Sequence, residues 1–173
     1  PGFDSPTGAF APGTRLGFDV LGPVLSWDGS AFADVAESRI LISKGPVSLE
    51  TPTDGMAPGF VFGVASTTGK FHHHMSFELL APASDGVYLL ELTLWDDAAV
   101  VADSEPFYIV FGQNASAGDL ADAVLWVETN LIGDPCRVDM DGDGSLTIFD
   151  FLAFQNLFDA GDLAADFDGD GSL

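Results

Sequence analysis

Basic residues are scarce in this chain. Five Lys and Arg stand against 27 Asp and Glu in 173 residues, a formal charge of −22. Nucleic-acid binding needs cations to neutralise phosphate, so that class is excluded. The same balance argues against adsorption to an anionic membrane. Long hydrophobic runs are missing too. No stretch approaches the roughly 18–20 apolar residues of a spanning helix, and no membrane insertion is expected. Cysteine is reduced to Cys136 alone. A lone cysteine in an exported chain reads as one with a lost or intermolecular partner, or as a single buried or oxidised thiol. Sequence signatures of catalysis are lacking as well: there is no Gly-x-Ser-x-Gly, no phosphate loop and no His-Glu-x-x-His. With so many carboxylates, chance pairs carry no glycosidase argument, and the chain reads as a non-enzyme. It opens without Met, at Pro1-Gly2-Phe3. That reads as a mature end with a signal peptide already removed, hence an extracellular or cell-surface location.

Apolar side chains are plentiful. The chain is 47% hydrophobic, with 15 Phe, 3 Trp and 2 Tyr, and its mean hydropathy is +0.27. Acidic disordered chains lack such aromatics, so this one folds and buries a core. A soluble cation is the partner its charge invites.

Up to about Gly112 the pattern is β. Gly and Pro punctuate short runs rich in β-branched and aromatic residues, giving strands near 15–20, 24–27, 39–43, 47–50, 59–65, 70–80, 87–95 and 106–111. Short strands without helical spacers predict an antiparallel β-sandwich over residues 1–113. Asp85-Gly86-Val87-Tyr88, opening a long strand, resembles the penultimate strand of immunoglobulin-like sandwiches and implies that fold. Then the period changes. Leu120, Val124, Val127 and Leu131 follow a helical spacing, with Ser116 or Asp119 as cap and Gly133 and Pro135 as stop. Residues 114–133 are read as a linker helix.

The last forty residues, 134–173, hold ten Asp and one basic residue, Arg137. Within them, Asp139-Met140-Asp141-Gly142-Asp143-Gly144-Ser145-Leu146-Thr147-Ile148-Phe149-Asp150 fits a calcium loop. Ca²⁺ takes six to eight oxygens, supplied at loop positions 1, 3, 5, 7, 9 and 12. Those positions are Asp139, Asp141, Asp143, Ser145 through its carbonyl, Thr147 directly or through water, and Asp150. Gly144 stands where the loop turns sharply. A second copy starts 27 residues on, with Asp166, Asp168, Asp170 and Ser172 at positions 1, 3, 5 and 7. Its position 12 would be residue 177, so the chain reads as less than the whole gene product.

This duplicated Asp-x-Asp-Gly-Asp-Gly pattern, with Asp at position 12 and one helix after the loop, resembles the dockerin type I repeat. The stretch from Leu146 to Asn156 is similar to dockerin-like tails of secreted planctomycete-type proteins. The resemblance covers about residues 134–173. It implies a small α-helical calcium-binding tail, a mate for Cys136 just past Leu173, and a cohesin-like partner. The chain departs from the pattern in its incomplete second loop and missing second Cys.

His72, His73 and His74 fall in the strand expected at 70–80. Alternation puts His72, His74, Ser76 and Glu78 on one face and Phe71, His73, Met75 and Phe77 on the core face. Two imidazoles at i and i+2 can share a zinc or copper ion; a plain surface pair is the other reading. The segments around Gly69–Phe77, Gly86–Leu92 and Ser104–Phe111 resemble uncharacterised bacterial surface proteins, some of which carry a His-x-His strand linked with zinc. Trp27 and Trp95 read as core or interface residues, with a sugar platform as the alternative. Asn114-Ala115-Ser116 is an N-glycosylation sequon.

The functional expectation is an extracellular, calcium-stabilised structural protein that self-associates with other copies of itself into a homopolymer or filament. Cations matter to that reading, because copies of charge −22 repel; two bound calcium ions would bring the charge to −18. The alternatives are a dockerin-anchored module for a protein or glycan partner, and a His-based zinc or copper protein.

Overall fold

The computed structural model describes residues 2–98, 102–132, 140 and 147–166. The protein is mainly β, with antiparallel sheets and, among the described residues, two α-helices. It divides into two compact units, Pro1–Val127 and Glu128–Leu173.

The strands of the first unit are β1 Gly2–Asp4, β2 Arg15–Val20, β3 Leu25–Ser26, β4 Asp34–Val35, β5 Ile40–Lys44, β6 Val47–Glu50, β7 Ala57–Val64, β8 His72–His74, β9 Ser76–Leu79, β10 Gly86–Asp96 and β11 Phe107–Gln113. The largest sheet runs β4-β3-β10-β2-β7, with β11 also paired to β10. A second sheet runs β6-β5-β9, and β1 pairs with β8.

Strand β10 organises this unit. Tyr88, Leu90 and Leu92 point into the main core, with Phe18, Val20, Ile40, Ile42 and Phe62. The alternate residues Val87 and Leu89 pack with Phe32, Ala123 and Val127. A strand covered on both faces needs no polar alternation, which explains the unbroken run Val87-Tyr88-Leu89-Leu90. Each of these buried side chains contributes about 1.5–3 kcal/mol by leaving water.

Helix α1, Ala117–Val127, supplies that second cover. Ser116 starts it: its hydroxyl accepts the Asp119 N–H at 3.0 Å and donates to the Asp119 carboxylate at 2.8 Å. Ala123 and Val127 are its buried positions, whereas Val124 and Leu131 are each 37% exposed. The inward stripe is thus carried by Ala123, a small residue that lets the helix approach β10. After Val127 the winding changes to a π turn, Glu128–Ile132, and the helical spacing that linked Val127 to Leu131 no longer applies.

Two expected strands, 15–20 and 47–50, coincide with β2 and β6. The one expected at 70–80 is broken. At buried Met75 the chain leaves β1 as its partner and takes up β5, giving β8 and β9 in different sheets. The alternation nevertheless runs through the break: Phe71 and Met75 are buried, His73 and Phe77 half-buried, and His72, His74, Ser76 and Glu78 exposed.

In the second unit, α2 spans Ile148–Ala160. Thr147 is its N-cap, accepting the Phe149 N–H at 3.1 Å, and Gly161 ends it in the left-handed region at φ 68°. Ile148, Phe149, Phe151, Leu152 and Phe158 are exposed on this helix.

Candidate metal centres

The first candidate is built on β1 and β8. Their register sets Gly2 against His74, Phe3 against His73 and Asp4 against His72. Phe3 anchors the pair: its ring lies 5.2 Å from Phe62 and 5.6 Å from Phe107. With Phe3 turned inward, Gly2 and Asp4 share the outer face with His72 and His74. Gly2 is required by closeness, because a Cβ there would run into the His74 ring.

On that face the Nε2 atoms of His72 and His74 lie 3.2 Å apart. The rings stand nearly perpendicular, centroids 4.9 Å apart. The Asp4 carboxylate is 2.9 Å from His72 Nδ1. That contact is the main cause holding Asp4 below the usual carboxylate range; slight desolvation opposes it, and Lys70, 3.6 Å away, assists. An ionised carboxylate only accepts, so Nδ1 of His72 is the donor in that contact, and its Nε2 is the nitrogen turned to His74. Lys44 donates to the His74 carbonyl at 2.7 Å. His73 sits on the opposite face, its ring 4.6 Å from Phe71 and its Nε2 3.3 Å from both the N and the O of Val64.

Two ligand nitrogens on a tetrahedral zinc with bonds of about 2.0–2.1 Å stand about 3.3 Å apart. The His72–His74 edge therefore has the span of a chelating pair. A carboxylate behind a ligand imidazole is the usual outer support of such sites. Asp4 and Gly2 escaped the sequence reading. They lie about seventy residues from their partners, and only the β1–β8 register brings them there. Among the described residues, no group of three or more His, Cys, Asp or Glu is placed to hold an ion.

The second candidate is the calcium loop. Asp139, Asp141, Asp143 and Ser145 of the first repeat, Asp168, Asp170 and Ser172 of the second, and Cys136 lie outside the described residues. Thr147, Asp150 and Asp166 lie within them. Asp150 is 4% exposed. One of its oxygens accepts the Met140 N–H at 2.9 Å and the other the Thr147 N–H at 2.6 Å. The second bond completes a capping box at the start of α2. Position 12 of the motif is thus turned back onto positions 2 and 9. Asp166, which opens the second copy, is 6% exposed.

The remaining candidates make the following contacts. Trp27 packs on Phe32 and Trp126, centroids 5.1 and 6.3 Å away. Trp95 lies over Gly17, and its indole N–H donates to Asp19 at 3.1 Å. In the sequon, Asn114 Nδ2 donates to Asp85 at 2.8 Å, and the Ser116 hydroxyl is the helix cap already described.

No family model matches the chain, and no curated protein or solved structure matches it either.

Proposed function

We propose that this chain is an extracellular calcium-binding structural protein. In this reading its first unit is an immunoglobulin-like sandwich, and its dockerin-like tail takes up calcium at Asp139, Asp141, Asp143, Ser145, Thr147 and Asp150. The observation that carries it is the inward turn of Asp150. Asp150, at the position where such loops place a carboxylate ligand, is buried and folded back onto the amides of positions 2 and 9, which supports this reading. The bound ion stabilises the tail by mass action. Self-association with other copies is supported by the apolar side chains exposed along α2 and by open strand edges, with calcium offsetting the repulsion of charge −22. Electron microscopy of the protein with calcium and with EDTA tests this. Assemblies are expected with calcium only; assemblies indifferent to chelation, or no calcium uptake by calorimetry, would overturn it.

The His72–His74 edge favours a second reading, a zinc or copper site on the first unit. The observation behind it is the 3.2 Å separation of the two Nε2 atoms with Asp4 behind one ring. Metal analysis of a His72→Ala, His74→Ala variant decides. Loss of bound zinc or copper is expected, and unchanged content removes the idea.

A further inference from the structure

We propose that the outer face of β8 is a zinc-mediated contact between two copies of this chain, each giving His72 and His74 to one shared ion. This rests on the metal reading of that pair and names what completes it.

The edge supplies two of the four ligands of a tetrahedral zinc site, with a nitrogen separation close to the span such a pair needs. Asp4 accepts from His72 Nδ1 and so orients the ring with its Nε2 toward His74. His72 is 61% exposed, and with His74 it stands on the outer side of a two-stranded ribbon rather than in a cleft. A flat, exposed chelating edge is open to a second, equivalent edge. Two such edges related by a two-fold axis supply four imidazole nitrogens, a closed and self-complementary arrangement.

Charge favours this place over the rest of the surface. The chain has five basic residues, and two of them flank the site: Lys44 on the His74 carbonyl and Lys70 beside Asp4. Two copies of a strongly acidic chain approach with least repulsion where their few cations gather, and the shared ion adds two further positive charges. Gly2 contributes by leaving the His74 ring its space.

The test is a zinc titration of the full chain kept saturated with calcium, so that the carboxylate loops are filled. Calorimetry should give one zinc per two chains. Light scattering, at a protein concentration below that at which calcium assembles the chain, should show a doubling of mass over the calcium-loaded state, reversed by a zinc-selective chelator. His72→Ala, His74→Ala should abolish both effects with an unchanged circular dichroism spectrum. If that variant fails to fold, the single His74→Gln variant must still lose the doubling and at least tenfold in zinc affinity. Asp4→Asn should weaken zinc binding by about 10–100-fold. One zinc per chain with unchanged mass would overturn the shared site while leaving the His pair a metal site. No zinc uptake dependent on His72 and His74 would overturn both.

Discussion

The Asp150 carboxylate accepts the Met140 N–H at 2.9 Å across ten residues. One side chain thereby closes a loop and, through Thr147, starts the helix that follows it. Replacing it should disturb both. Asp150→Ala is expected to lower calcium affinity at least tenfold and to cost α2 about 1 kcal/mol of capping. Calorimetric calcium titration and helical circular dichroism at matched calcium check the two effects separately.

Removing the ion should act on one unit and spare the other. With EDTA, the thermal transition of residues 137–173 is expected to move down or vanish, while that of the β-rich unit stays in place. Differential scanning calorimetry reads this, and a tail transition unmoved by EDTA would contradict it.

Asp4 gives a pH dependence whose sign follows from its depressed pKa. Its ordinary value is 3.8, and contact with His72 above all lowers it in the folded protein. The unfolded chain therefore binds the proton first as pH falls. The contribution of Asp4 is complete above 3.8 and is lost as pH drops through the folded value below it. Asp4→Asn should lose that contribution at neutral pH, where it is complete, and differ little from wild type below the folded value, so that the acid part of its stability profile is flatter. Denaturant unfolding of wild type and variant across acid and neutral pH measures it.

Gly2→Ala separates packing from fold. The new methyl group meets the His74 ring rather than backbone, so the ring turns aside. Stability should change by no more than about 0.5 kcal/mol, as for other surface substitutions. Zinc affinity should fall, because the 3.2 Å edge is lost. Thermal melts alongside zinc titration distinguish this outcome from loss of strand β1.

Ser116→Ala removes the cap of α1 and should cost about 1 kcal/mol in the β-rich unit. Denaturant unfolding followed by Trp fluorescence is the measurement, since Trp126 lies on that helix and Trp27 packs against it.

How much of this was legible in the sequence depended on distance along the chain. Strands β2 and β6 could be read to the residue, because alternation and turn residues are local signals. The calcium motif is local too: twelve positions carry their own spacing. The inward face of His73 and the outward face of His72 and His74 followed from alternation alone. The break at Met75 did not, since it comes from a change of partner, β1 to β5, that no residue at 70–80 announces. Strand β1 is three residues long and owes its place to Phe3 packing on Phe62 and Phe107. Asp4 became part of a site only through that placement.

The position of β10 in the chain sets an order in time. Leu92 pairs with Val20 and Leu90 with Ile109, and β2 is held between β10 and β7. Made from its N-terminus, the chain completes β2 at Val20, and β10, its partner on one side, begins only at Gly86, after β7 on the other side has ended at Val64. Until β10 has emerged, the core around Phe18, Ile40 and Ile42 lacks Tyr88, Leu90 and Leu92. The core is complete only with this strand, whose two faces are both buried.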